Sequence, residues 1–292
     1  MLKLAHIINP VKVPESSDLF VAQPVTYESM RRAAEFAADQ AQVELYAVGY
    51  AEDAEIIPDY FKSLPNLERS VLDVAQFSRS RKLPLIADIL DKAKQVDADY
   101  LVYTNVDISL MPHFYSAISN YISKGYDAIA INRKTISYEY TQVEDLPKMY
   151  AQIGQKHEGI DCFVFRKQWL DDFYWGNSII GSGPVGIAFC LNMIAKAQKF
   201  IWLEGADLTF HLGDDKAWTD PTQMDYVDFS YNALAEIAKR LRSNNHNDPE
   251  QLFATTAKFC EDVVRNREVA SKFGSNNKPK PLIRAISNKN QG

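Results

Sequence analysis

The apolar run Tyr100 to Thr104 stops abruptly at Asn105-Val106-Asp107. Five such residues with no charge among them read as a strand buried on both faces. In an open parallel sheet, side chains at the carboxyl end of such a strand leave the core and face a crevice where ligands bind. An aspartate at that point can hold a hard divalent cation that bridges phosphate oxygens, a common way of neutralising a diphosphate leaving group. The plainer role for Asp107 is to cap the turn that follows the strand.

A second stretch, residues 178–204, also suggests phosphate chemistry. Gly181, Gly183 and Gly186 have the G-x-G-x-x-G spacing with which a backbone loop approaches the pyrophosphate of FAD or NAD. An apolar helix pattern follows over Val185 to Ala197, and Glu204 falls after the run Phe200 to Leu203, where a ribose-binding acid would stand. Such a site would make the protein an FAD- or NAD-dependent oxidoreductase. A dinucleotide fold, however, places this fingerprint after its first strand and completes the site with further strands and helices. Here most strand signals precede Gly181, and the chain after Glu204 reads as a loop, two helices and a tail. The alternative is a glycine-rich turn ahead of a packed helix.

The elements that must position these residues alternate. Leu2 to Ile8 reads as an apolar strand ending at Asn9-Pro10, followed by a polar loop and a helical pattern from Thr26 to Asp39. Val43 to Val48 reads as a second strand. Leu83, Ile86, Leu90 and Ala93 recur at helical spacing, with Pro84 in the first turn, and lead into the run at Tyr100. A helix from Pro112 to Gly125 and strands at Ala128 to Ile131 and Cys162 to Phe165 continue the pattern. This alternation predicts an α/β fold with a mostly parallel central sheet flanked by helices. After Asp215 only helices are expected: Thr222 to Arg242, and one opened by Asp248 as N-cap with Pro249 in the first helical position. The expected organisation is a domain over 1–218, a C-terminal helical extension over 219–270, and a disordered tail over 271–292 rich in Asn, Ser, Pro and Lys.

Of the 292 residues, 46% are apolar and 24% charged, which is ordinary for a globular chain, and the net charge of −6 argues against nucleic acid as a partner. The tail differs, with Lys272, Lys278, Lys280, Arg284 and Lys289 and no acid, a composition suited to weak contact with a membrane surface or a partner. Cys162, Cys190 and Cys260 are odd in number, far apart and set among apolar residues, as expected of reduced core thiols. No apolar run is long enough for a transmembrane segment, and Met1 to Asn9 lacks the length and cleavage site of a signal peptide. The expected setting is cytoplasmic.

Asn105-Val106-Asp107 resembles a variant of the D-x-D motif of GT-A fold glycosyltransferases. Further pieces agree in order: "RKLPLIADILDKA" before the motif strand, then "DAIAINR", "GIDCFVFRKQWL" and "LTFHLGDDKAW". The resemblance covers roughly residues 1–218 and implies a GT-A-like nucleotide-sugar-binding domain. It further implies a nucleotide-sugar donor, a glycan, lipid or small-molecule acceptor, and Mn2+ or Mg2+ as cofactor. It also implies that a late histidine or acid completes the metal site. His211 stands in that place, so Asp107 and His211 are the expected metal ligands. Asn9, ending the first strand, Asp88, on the helix before the motif strand, and Asn105 are the nucleotide contacts expected from the same resemblance.

The chain departs from the family pattern twice. Asn105 replaces the first acid of D-x-D and brings no charge, and the helix after Gly183 carries no acid in its first turns, where a Glu-Asp pair is usual. Both departures suit a rival reading, a non-catalytic nucleotide-sugar-binding protein on the same fold.

Inverting transfer needs a carboxylate base within reach of the acceptor hydroxyl. Asp161, just before the strand at Cys162, is the candidate, its alternative being a turn residue after Gly159. Arg79, Arg81 and Lys82 precede the helix that leads to the motif strand, and arginine's planar fork suits a diphosphate. Arg81 and Lys82 are therefore candidate donor contacts, a solvated basic loop being the alternative. Asp214 and Asp215 can support the metal or cap the Gly213 turn. Tyr174 and Trp175 offer ring faces to a sugar, or simply pack.

Overall fold

The computed structural model describes residues 1–213, 221–244, 249–265 and 279–289. Asp214 and Asp215 lie outside the described residues. By compactness the chain divides into two units. The first comprises Met1–Leu67, Lys92–Gln168 and the described residues of 202–215; the second comprises Glu68–Asp91, Trp169–Ile201 and the described residues from 221 onward. Residues 68–91 and 169–201, within the span 1–218, therefore gather with the C-terminal helices.

The first unit is built on β1 (Leu2–Ile8), β2 (Ala41–Ala47), β3 (Lys62–Ser63), β4 (Tyr100–Thr104), β5 (Ser109–Leu110), β6 (Ala128–Ile136), β7 (Gln155–Arg166) and β9 (Thr209–Leu212). β8 (Phe200–Leu203) adds its last two residues. The sheet order is β3-β2-β1-β4-β7-β6-β9-β5, with β8 beside β6. β1 runs parallel to both β2 and β4, and β2 to β3. β4 is buried along its whole length, as a continuous apolar strand in a covered sheet must be.

The α/β class follows the expectation, but the sheet is mixed. Parallel neighbours need a long crossover, which α1 (Asp18–Phe36) supplies between β1 and β2. Beyond β4 several neighbours turn antiparallel, β4 with β7, β7 with β6, and β5 with β9, while β6 and β9 run parallel. α3 (Phe114–Ser123) precedes β6, and between β6 and β7 lie only a 3-10 turn, Val143–Asp145, and a short helix, α4 (Leu146–Tyr150), so the chain returns directly and pairs antiparallel.

The second unit contains α5 (Val185–Lys196), α6 (Met224–Asn244), α7 (Glu250–Arg265) and α8 (Pro279–Lys289), together with the start of α2 (Ile86–Ala93). Val71, Leu85, Ile179 and Tyr226 form one of its apolar clusters, with Phe77 stacked on Tyr226 at 3.9 Å between ring centroids. Helix α8 occupies part of the stretch whose composition predicts a disordered end. Pro279 suits its first turn, and Ile283 is buried. Among the described residues, no helix is long and apolar enough to cross a membrane.

Candidate functional site

After β4 the chain turns over Asn105 to Ile108, closed by the Ile108 N–H donating to the Asn105 carbonyl at 3.2 Å. It then enters β5, whose two residues pair with β9, Ser109 opposite Phe210 and Leu110 opposite Thr209. That register carries the next residue of β9, His211, to the turn. Its Nε2 lies 3.2 Å from Asp107 Oδ2 and its Nδ1 2.8 Å from the Gly213 carbonyl. Gly213 is required in this arrangement: its φ is +69°, and a Cβ there would meet Tyr138 Cδ2 at 2.6 Å.

The Gly213 carbonyl only accepts, so His211 Nδ1 carries a hydrogen toward it. In a neutral imidazole that tautomer turns the Nε2 lone pair toward a carboxylate oxygen. The contact is attractive only when Nε2 also binds a proton or when a cation is shared between the two groups. Burial lowers the His211 pKa, but the bond to Asp107 and its charge outweigh burial and hold it above the ordinary value. For Asp107, burial raises the pKa, and the bond and charge of His211, with a contribution from Arg133, bring it below the ordinary value.

Asp107 keeps 24% of its side chain exposed, while its Oδ1 is buried and has no partner among the described residues. An unsatisfied buried acceptor costs about 1–3 kcal/mol, which a ligand can relieve. A carboxylate oxygen without a partner and an imidazole nitrogen facing it form a donor set that fits a divalent cation. Among the described residues, however, no group of three or more His, Cys, Asp or Glu gathers to hold one. Mg2+ is commonly held by as few as one or two carboxylates, with water and phosphate oxygens for the rest, and Asp107 supplies one such carboxylate.

Arg133 and Asp161 lie in the same unit, on β6 and β7. Arg133 Nη1 donates to Asp161 Oδ2 at 2.7 Å, with the side chains only 8% and 13% exposed. The β6–β7 register runs Ile131 opposite Cys162, Asn132 opposite Ile160, then Lys134 opposite Lys156. Both Asp161 and Arg133 are skipped by this pairing, and bulges of this kind re-aim side chains. Asp161 is thus a strand residue held by Arg133 rather than a turn residue, and a base role would require that bond to open. Arg133 is the charged group that the sequence reading passed over. Its signal was Asn132-Arg133-Lys134 continuing an apolar strand without a break, and all three are buried. The Asn132 amide donates to the His157 carbonyl at 2.8 Å, and Lys134 Nζ donates to the Gln152 carbonyl at 2.7 Å.

Asn9 follows β1 and its amide donates to the Val48 carbonyl at 2.5 Å, tying together the carboxyl ends of β1 and β2. Behind Asn105, Thr104 Oγ1 lies 2.9 Å from His6 Nε2, whose Nδ1 is 2.7 Å from the Tyr115 hydroxyl.

The other expected contacts belong to the second unit. Asp88 is gripped by Arg69 through two bonds of 2.8 and 2.9 Å. The Arg81 N–H donates to the Tyr226 hydroxyl at 2.8 Å, and its guanidinium lies 5.8 Å from that ring and bonds the Gln223 side chain. Lys82 is exposed. Trp175 is buried against Phe189, 4.7 Å between ring centroids, so it packs the interior and offers no face to a sugar. Tyr174 is half-buried and its hydroxyl bonds Glu236.

The G-x-G-x-x-G stretch is a turn. Gly181 and Gly183 have φ of +84° and +72°, and a Cβ on Gly183 would lie 2.3 Å from that of Ser230 on α6. No parallel strand precedes it: Ile179 makes only an isolated antiparallel bridge to Leu85. The backbone approach that a dinucleotide would use at Gly183 is taken by a helix.

No family model and no curated protein matches the sequence. The fold does match solved structures of S. aureus TarS. Residues 1–349 of TarS superpose with a TM-score of 0.53 at 10% identity over 91% of this chain and 73% of that one. The same fragment in complex with UDP-GlcNAc gives the same score and identity, covering 91% and 72%. Against a longer TarS structure the share of that chain falls to 45%. At this identity the likeness is one of fold alone.

Proposed function

We propose that the protein transfers a sugar from a nucleotide-sugar donor to an acceptor hydroxyl, with Mn2+ or Mg2+ held by Asp107 and His211. The observation that carries this reading is the meeting of Asp107 and His211 at the end of β4, with an unpartnered carboxylate oxygen, on a fold shared with a protein solved with UDP-GlcNAc. The cation, when bound, supplies the charge that offsets the departing diphosphate. Asp107 contributes Oδ1, and His211 contributes Nε2 once that nitrogen gives up its proton. The Gly213 carbonyl fixes the ring so that Nε2 keeps its direction. Asn105 opens the same turn without adding charge.

A second reading, a nucleotide-sugar-binding protein without turnover, is favoured by Asn105 and by the first turn of α5, which holds no acid. The test is a melting-temperature screen against UDP-GlcNAc and other nucleotide-sugars with and without Mn2+, with FAD and NAD as controls, followed by an assay for nucleotide diphosphate release. A Mn2+-dependent rise with one nucleotide-sugar, together with release, supports transfer. A rise without release from any acceptor mixture favours the binding protein, and a rise with FAD or NAD alone defeats both.

A further inference from the structure

The ligation proposed for Asp107 and His211 makes no use of the buried pair Arg133 and Asp161, although β6 carries Arg133 alongside the strand of His211, with Lys134 opposite Phe210 and Thr135 opposite His211. A guanidinium presents five N–H donors in a rigid fork and accepts nothing. Elsewhere in this chain the exposed Arg69 engages its partner side-on through two nitrogens, giving Nε and Nη2 to the two oxygens of Asp88. Arg133, far more buried, is held through Nη1 alone, and its Nε is buried with no partner among the described residues. A pair that served only to close the sheet would be expected to engage both ends. Two bulges instead take both residues out of the β6–β7 pairing, and the fork keeps a buried Nε without a partner among the described residues. Phosphate oxygens match that fork in geometry and charge.

We propose that Arg133 is an anion-binding residue of this site, that its open N–H groups take the diphosphate of the donor, and that Asp161 is the positioning residue that fixes its fork. The inference rests on the nucleotide-sugar reading for the identity of the anion; the same chemistry would also accept free inorganic pyrophosphate.

The test is calorimetric titration of the full chain with UDP-GlcNAc and, separately, with inorganic pyrophosphate, each with and without Mn2+. The variants are R133K, D161N and the double variant R133Q/D161N, in which a neutral amide pair replaces the buried charges so that neither is left alone. The dissociation constant for both probes is expected to rise about tenfold in R133K, whose point charge cannot serve Asp161 and a phosphate together, and further in the double variant. In D161N the KM for the donor is expected to rise more than kcat falls, and D161E is expected to restore part of the affinity, which a merely structural role would not produce.

Equal affinity of the wild type and R133Q/D161N for pyrophosphate and UDP-GlcNAc overturns the inference while leaving the transferase reading standing. Binding of pyrophosphate that depends on Arg133, with no nucleotide-sugar bound by any form, retains the anion site and removes the transferase reading. If the double variant does not fold, R133K decides: affinity equal to wild type sinks the proposal. A wild type that binds neither probe overturns both.

Discussion

Two turns of this molecule lead from an apolar segment into a new element, and they differ in what fills them. The turn after β4 keeps a buried carboxylate oxygen without a partner among the described residues, with an imidazole nitrogen 3.2 Å from the other oxygen. The turn before α5 is occupied by its own fold: Gly183 abuts Ser230, and the Ser230 hydroxyl donates to the Ser182 carbonyl at 3.2 Å. Left-handed glycines serve both, Gly213 beside the first and Gly181 and Gly183 within the second. In one case the glycine lets a carbonyl orient a histidine; in the other it lets a helix approach. A turn is a place for a ligand when it leaves polar atoms unsatisfied, not when it merely contains glycine.

The largest effect expected from this contrast is at Asp107. Asp107→Ala is expected to abolish the Mn2+-dependent rise in melting temperature with UDP-GlcNAc and to lower sugar transfer on the order of 100-fold or more, as loss of a ligating group does. A variant that kept both would move the site away from this turn.

The turn after β4 is also backed by a buried histidine, which gives it a signature in pH. His6 is enclosed by the Tyr115 hydroxyl, Thr104 Oγ1 and the Phe114 ring, and burial lowers its pKa to about 3. It stays neutral in the fold while the unfolded chain takes up a proton below the ordinary value of 6.5. Its contribution is therefore fully present above about pH 6.5 and is lost as the pH falls toward 3, on the order of a few kcal/mol in all. Urea unfolding at pH 7, 5.5 and 4.5 is expected to show that loss in the wild type and a shallower slope in His6→Gln. Parallel slopes would place the acid sensitivity elsewhere.

Gly183→Ala probes the second turn. With φ at +72° and a Cβ 2.3 Å from that of Ser230, the variant is expected to lose roughly 1–3 kcal/mol of stability. The increment that UDP-GlcNAc adds to its melting temperature is expected to stay that of the wild type. If Gly183→Ala stayed as stable as wild type yet lost nucleotide binding, the two turns would exchange roles.

How much of this was legible in the sequence depends on whether a residue's partner lies along the chain or across it. β4 reads to the residue because burial on both faces leaves an unbroken apolar run. β7 reads only from Cys162, since its first half, Gln155 to Gly159, is polar and at least partly exposed, and so Asp161 looks like a turn residue. β6 stops at Ile131 to the eye because Asn132, Arg133 and Lys134 are polar, although their partners bury them. The two-residue β5 carries no periodic signal, yet it is what brings His211 to Asp107, 104 positions away. Arg133 and Asp161 meet only through register and two bulges, which no local pattern encodes. The G-x-G-x-x-G spacing misleads for the converse reason: spacing records neither the missing parallel strand nor the serine that fills the approach.

The smallest effect expected is at Asp88, on the side of the molecule that braces the second turn. There the Ile86 N–H donates to the Ser178 carbonyl at 2.9 Å and the Ile180 N–H to the Pro84 carbonyl at 3.0 Å, stitching the start of α2 to the stretch before Gly181. Asp88 lies two residues further on, in the first turn of that helix, paired with an Arg69 that is 53% exposed. Exposed pairs contribute between about 0 and 1 kcal/mol, even when two bonds are made, because water screens the charges and both side chains must be ordered. Asp88→Asn is accordingly expected to shift the unfolding midpoint by less than that, with the shift shrinking further in high salt. Its affinity for UDP-GlcNAc is expected to match the wild type, since both carboxylate oxygens are already committed to Arg69. A loss of nucleotide affinity in Asp88→Asn at unchanged stability would show that the pair opens to admit the ligand, and would restore this helix to the binding site.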